Sequence, residues 1–137
     1  MQNIDLSGTW SFKLDPENRG IEENWSTPLY NLVESGKPIP VPACWEEFEK
    51  DYECVAWYAK EIVINASLKG QTCRLFFEAS NYRTSVWING EAVGTHEGGY
   101  TPFFFQIQDL LTFGALNLIV IRQNNWVYLP PTEGPKI

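Results

Sequence analysis

The stretch Val86-Trp87-Ile88-Asn89-Gly90-Glu91-Ala92-Val93-Gly94-Thr95-His96-Glu97-Gly98-Gly99-Tyr100-Thr101-Pro102-Phe103 decides the fold. Asn89-Gly90 sits between two runs of strand-forming residues. A two-residue hairpin turn asks both central residues for positive φ, and Asn-Gly meets that demand at low cost. The pair therefore predicts a strand over 84–88 and an antiparallel return beginning at 91–93, with the turn fixing their register. Gly94 and Gly98-Gly99 permit positive φ or a close approach of backbone. Pro102 ends the following loop and pre-sets the entry to the next strand.

The same punctuation runs outward in both directions. Trp10, Phe12 and Leu14 alternate within 8–14, the pattern of a half-buried strand. Further strands are predicted over 56–64, 73–79, 103–107 and 117–122. Around the last of these, Leu116, Leu118, Ile119, Val120 and Ile121 are nearly continuous, which suits a central strand covered on both faces. Residues 15–42 carry Pro16, Gly20, Pro28, Gly36, Pro38, Pro40 and Pro42 and are expected to form a strand-free loop, pinned by Trp25 and Tyr30. Only 109–112 reads as a helical turn. Many short strands, long loops and few helices predict an all-β fold, a jelly-roll β-sandwich, with Trp10, Phe12, Trp87 and Phe105 in its core. Residues 1–126 make up this domain, and the Pro-rich 127–137 reads as a linker toward a following domain.

Composition narrows the function. The chain has 137 residues, 44% of them hydrophobic and 20% charged, the balance of one globular domain. Aromatics reach 15%, enough both to fill the space between sheets and to stack on the C–H face of a sugar. A net charge of −7 argues against nucleic acid and anionic membrane as partners. No apolar run has the length of a membrane span, and residues 1–10 lack a signal-peptide pattern; the compartment stays open, because a leader can be removed. Cys44, Cys54 and Cys73 match no zinc spacing; they read as free buried thiols, with a Cys44–Cys54 pair as the alternative. His96 is the single histidine, so a multi-histidine metal site is excluded, and no metal or cofactor is expected.

The opening stretch strongly resembles the N-terminal domain of glycoside hydrolase family 2, the family of β-galactosidases, β-glucuronidases and β-mannosidases. Flanking pieces match in order: Leu6-Ser7-Gly8-Thr9-Trp10 with Phe12, Val41-Pro42 with Trp45-Glu46, Trp57-Tyr58, Phe76-Phe77-Glu78, and Asn117-Leu118-Ile119-Val120. The resemblance spans about residues 5 to 125. It implies a fold like that of galactose-binding domains. It also implies that the catalytic glutamates sit on a following (β/α)8 barrel, so that this chain is a non-catalytic part of a larger retaining enzyme. Gly98 stands near the place where the galactosidase branch carries a substrate-contacting carboxylate, which glycine cannot supply.

The chain's own residues agree with a non-catalytic reading. Retaining glycosidases need two carboxyl groups about 5–5.5 Å apart. The densest acidic cluster, Glu46, Glu47, Glu49, Asp51 and Glu53, reads as a solvated loop. No catalytic residue is therefore assigned. The resemblance directs two segments toward the barrel, and from them Trp57, Tyr58, His96, Glu97 and Tyr100 are the candidate substrate-binding residues, the last three placed in the loop after the hairpin. Tyr58 or Tyr100 would stack, Glu97 would accept sugar hydroxyls, and His96 would donate or accept. The expected partners are carbohydrate and the rest of the same polypeptide, including its barrel. The competing readings are an autonomous carbohydrate-binding module and a structural or interaction domain, because function sits in sites rather than in folds.

Overall fold

The computed structural model describes residues 6, 8–15, 17–41, 54–77, 83–97 and 102–125. Eight strands are found among them: β1 (Gly8–Asp15), β2 (Lys37–Val41), β3 (Cys54–Ile64), β4 (Arg74–Phe77), β5 (Arg83–Ile88), β6 (Glu91–Glu97), β7 (Phe103–Gln106) and β8 (Ala115–Asn125). One four-residue helix, α1 (Leu32–Ser35), precedes β2, and a 3-10 turn at Ala66–Leu68 follows β3. The strands form a six-stranded sheet in the order β2-β1-β3-β8-β5-β6 and a two-stranded sheet β4-β7. Every pairing is antiparallel. The all-β sandwich expected from the sequence is present.

Alternation along each strand puts the core between the two sheets. From the large sheet come Trp10 and Phe12 of β1, Ile64 of β3, Val86 and Ile88 of β5, and Ile119 and Ile121 of β8, all buried. Leu75 and Phe77 of β4 and Phe103 of β7 meet them from the small sheet. Phe77 and Phe103 stack with centroids 4.8 Å apart, and Phe105 meets Phe103 edge-on at 5.8 Å. Burying side chains of this size stabilises by about 1.5–3 kcal/mol each. Gly94 suits this packing, since a Cβ there would lie 2.9 Å from the Phe105 ring and the ring would have to shift.

The hairpin forms as the sequence demands. Asn89 and Gly90 take φ of 53° and 85°, and Ile88 pairs with Glu91 across them. Asn89 also has a second task. Its side chain donates to the Leu110 carbonyl at 3.0 Å and to Asn117 Oδ1 at 2.9 Å, while its own Oδ1 accepts from the Leu118 amide at 2.9 Å. Asn117, 1% exposed, further accepts from the Thr112 amide at 2.7 Å and donates to the Thr112 and Ala115 carbonyls. A buried amide with each of its groups satisfied fixes the hairpin to β8.

Three expectations need correction. Residues 15–42 are not strand-free, for they hold α1 and β2. Pro38 and Pro40 share one parity of β2, which lies at the edge of the sheet order, the place in a sheet where proline is tolerated. The return strand does not give way to loop before His96, because β6 runs through Glu97. A bulge between Val86 and Trp87 of β5 leaves Val93 as the extra residue, and pairing resumes at Gly94. The segment 108–110 is a turn, closed by the Leu110 amide on the Ile107 carbonyl at 2.9 Å, rather than a helical start. Cys73 is a buried free thiol, as expected. Cys44, the acidic cluster from Glu46 to Glu53 and the 127–137 segment lie outside the described residues.

Candidate functional site

The outer face of the large sheet is where polar chemistry collects. On β5 the even residues Thr84, Val86 and Ile88 point inward and are buried, so Arg83, Ser85 and Trp87 point outward. Register extends the row. Ser85 lies between Arg122 of β8 and Thr95 of β6, and Trp87 lies between Val120 and Ala92. On the neighbouring strand Trp57 pairs with Arg122 and projects to the same face.

Residues 17–30 form a strap that covers the β1–β3 half of this face. Its turns are made by Asn18 and Asn24, and Asn31 leads from it into α1, each at φ between 55° and 62°. Asparagine is the residue other than glycine that enters this region most readily. The strap is anchored by Asp15, whose carboxylate is 2% exposed. It accepts the Arg19 amide at 2.7 Å, the Gly20 amide at 2.8 Å and the Trp57 indole N–H at 3.0 Å. Trp25 and Tyr30 do pin the segment: they stack at 5.1 Å, and Trp25 meets Trp57 edge-on at 5.8 Å. Lys13 donates to the Tyr30 hydroxyl and places its ammonium 4.6 Å from the Trp25 ring centroid.

Where the strap stops, an open cleft of about 300 Å³ remains over β5, β6 and β8. Ile21 borders it from the strap, and Trp87, Ser85 and Thr95 line it from the sheet. Trp87 is held flat by stacking on Trp57, centroids 5.3 Å apart at an interplanar angle of 22°. The Ser85 and Thr95 hydroxyls lie 3.0 Å apart at the exposed end of the row. Two guanidinium groups complete the lining. Arg122, 7% exposed, donates to Asn18 Oδ1 at 2.7 Å. Arg83 pairs with Glu97 at 3.0 Å, both side chains being about half exposed.

Of the five candidates read from the sequence, the four described ones do not face one site. Trp57 is 0% exposed, with one ring face on Trp87, Trp25 at its edge, and its N–H given to Asp15. It is a core residue and has no face to offer a sugar, so that assignment is corrected. Tyr58, its neighbour on β3, faces the opposite way and packs beside Phe12 at 5.2 Å. His96 also faces inward, flat against Phe103 with centroids 3.8 Å apart. Its buried Nδ1 finds no hydrogen-bond partner among the described residues. Glu97 faces outward at the cleft rim beside Arg83, and Tyr100 lies outside the described residues. Among the described residues no group of three or more His, Cys, Asp or Glu is arranged to hold a metal ion.

Arg83, Ser85 and Thr95 carry no motif, and Trp87, which reads as core, does pack against the Trp57 cluster while its other side borders the cleft. The signal lay in parity: within 83–88 the odd positions read Arg, Ser, Trp and the even positions Thr, Val, Ile.

Known proteins with this fold and sequence point one way. Over 136 residues the chain is 35% identical to a beta-glucuronidase of Paenibacillus borealis, matching 93% of this chain and 22% of that protein. A beta-galactosidase of Thermoanaerobacter pseudethanolicus is 40% identical over 119 residues, 86% of this chain and 14% of that protein. The solved Lactobacillus rhamnosus beta-glucuronidase superposes with a TM-score of 0.84 at 30% identity, over 95% of this chain and 23% of its own. The chain thus spans about a fifth of the length of these glucuronidases. Residues 4–132 match the family described as glycosyl hydrolases family 2, sugar binding domain, and the chain belongs to that family.

Proposed function

We propose that the chain is the non-catalytic, sugar-side domain of a larger retaining β-glycosidase, and that the whole enzyme acts on β-glucuronides. The observation that carries this reading is the lopsided coverage: 93% of the chain matches, against 22% of the Paenibacillus beta-glucuronidase. A retaining mechanism requires one carboxyl as nucleophile and a second as acid and then base. Those groups belong to a barrel supplied by the rest of the polypeptide. This domain would hold the barrel in place and lend contacts at the end of β6, where Glu97 and, beyond it, Tyr100 are the residues to reach a bound sugar. His96 and Tyr58 would support them from the inner face. The acidic composition supports carbohydrate rather than nucleic acid or anionic membrane as the partner.

The test is an assay of the whole polypeptide beside the isolated chain, on aryl β-glucuronide, β-galactoside and β-mannoside. Turnover of the glucuronide by the whole polypeptide and by it alone is the expected result. Glycoside hydrolysis by the chain alone, abolished by changing one of its own carboxylates, would overturn the reading.

A further inference from the structure

We propose that Asn89 is a modification site: it deamidates spontaneously when the hairpin leaves β8, and the product cannot dock the hairpin again. Neither half of this depends on the enzymatic activity proposed above. The chemistry needs only the local sequence and water. Asn89-Gly90 is the one Asn-Gly pair in the chain. The backbone nitrogen of Gly90, once deprotonated, attacks the side-chain carbonyl carbon of Asn89. A C–N bond forms, a succinimide ring closes, and the side-chain nitrogen leaves as ammonia. Water then adds to one of the two ring carbonyls and breaks its bond to the ring nitrogen. One opening leaves an aspartate; the other leaves an isoaspartate, in which the chain runs on through the side-chain carbon. Glycine favours the attack because it puts no side chain beside the nucleophile.

The fold holds this reaction back. Ring closure requires the Asn89 side chain to swing onto the Gly90 nitrogen. In the structure that side chain is held elsewhere. Its Nδ2 donates to the Leu110 carbonyl at 3.0 Å and to Asn117 Oδ1 at 2.9 Å, and its Oδ1 accepts the Leu118 amide at 2.9 Å. The backbone of Asn89 is tied to the same strand, its N–H donating to the Leu118 carbonyl at 2.9 Å. Nδ2 can depart as ammonia only after both of its bonds are given up. The reaction therefore waits on local opening of the turn, and its rate in the folded chain is the unfolded-chain rate scaled by the fraction of time the turn is open.

The same bonds make the change irreversible. A carboxylate has no donor. In place of Nδ2 it would set an oxygen against two acceptors, the Leu110 carbonyl and Asn117 Oδ1. Asn117 cannot turn its amide to meet it. Its Oδ1 also accepts the Thr112 amide at 2.7 Å, and its Nδ2 donates to the Thr112 carbonyl at 2.9 Å and the Ala115 carbonyl at 3.0 Å. Turning would gain one bond and lose three, at a side chain 1% exposed, where water cannot replace them. The isoaspartate is worse, because it adds a backbone carbon to a two-residue turn whose length is set by the pairing of Ile88 with Glu91. Each opening thus carries a chance of permanent loss of the hairpin's seat on β8.

The experiment ages the chain in native buffer and, in parallel, unfolded in guanidinium chloride at the same mildly alkaline pH. Trypsin releases residues 84–122 as one peptide, whose mass spectrum reports conversion of amide to acid and whose fragments locate it. Conversion at Asn89 is expected to be about a hundredfold slower in the folded chain, as for a segment open about one per cent of the time. Equal rates in the two states would overturn the gating. Two variants test the product without relying on refolding. Asn89→Gly removes the side-chain bonds and adds no acceptor, while Asn89→Asp copies the aspartate product; both residues tolerate the positive φ of 53°. Asn89→Asp should unfold at a lower denaturant concentration than Asn89→Gly, or give less folded protein, because it adds repulsion to the loss of bonds. An Asn89→Asp chain as stable as Asn89→Gly, or more so, would overturn the irreversibility.

Discussion

Replacing Asp15 with asparagine isolates what holds the strap on the sheet. The carboxylate uses Oδ1 for the Arg19 amide and Oδ2 for both the Gly20 amide and the Trp57 indole. A carboxamide has one acceptor oxygen and puts two donors in the other position. Either orientation of the new amide then sets N–H against N–H. Of the three bonds, keeping the oxygen on Gly20 and Trp57 abandons the Arg19 amide, whose bond is part-buried, so that orientation is the cheaper one. Its cost is about 1 kcal/mol for the stranded donor. Turning two charge-assisted bonds into neutral ones of roughly half the strength adds about another 1 kcal/mol. Asp15→Asn should therefore destabilise by about 2 kcal/mol, a large part of the stability of a domain. Urea unfolding followed by tryptophan fluorescence is the assay, with a lowered midpoint and an unchanged m-value as the expected form. Trp57→Phe in the same cycle should show a coupling of about 1 kcal/mol with Asp15→Asn. A midpoint shift equivalent to less than about 0.5 kcal/mol, or additive single effects, would refute the anchoring argument.

Asn117→Ala removes every side-chain bond that the buried amide makes and should cost about 2–4 kcal/mol by the same denaturation assay, with hydrogen exchange at Leu118 and Asn89 accelerating most. Gly20→Ala would put a Cβ 2.6 Å from the buried Trp57 ring and should destabilise by about 1–3 kcal/mol, read as a lower thermal midpoint. Burial pushes the Cys73 thiol above its ordinary range, so folding favours the protonated form. That contribution is fully present below the thiol's ordinary value of 9.0 and declines as pH rises through the raised one; at pH 8 the folded chain should react slowly with a thiol reagent and rapidly once unfolded.

Much of the fold was legible because the signals were local. Asn89-Gly90 requires two positive φ angles, and the structure supplies them at 53° and 85°. The apolar run around Val120 also read correctly: Ile119 and Ile121 enter the main core while Val120 enters the cluster under the strap. What failed depended on neighbours. Pro38 and Pro40 break a strand in isolation but not at the edge of a sheet, and an edge is a property of the assembled order of strands. The site was legible as a region and not as a constellation. Trp57 and Tyr58, or His96 and Glu97, are adjacent in sequence, yet strand geometry sends each pair to opposite faces. The cleft itself depends on where the strap ends over β5 and β6, which no short motif records.

The place of β8 in the large sheet also governs how the domain comes into being. Among the described strands it is the last of that sheet in chain order and lies at its middle, pairing Cys54 with Asn125 and Ile64 with Ala115 on one side and β5 on the other. Until Ala115–Asn125 has been synthesised, β1, β2 and β3 on one side and the β5–β6 hairpin on the other have no strand to join them. Each half presents an unfinished edge to whatever is nearby. Closure waits on pairings between distant parts of the chain, which are slow to form. A nascent chain carrying this domain is thus most open to mispairing just before β8 emerges, and substitutions in β8 should show themselves in yield and aggregation during synthesis before they show themselves in the finished protein.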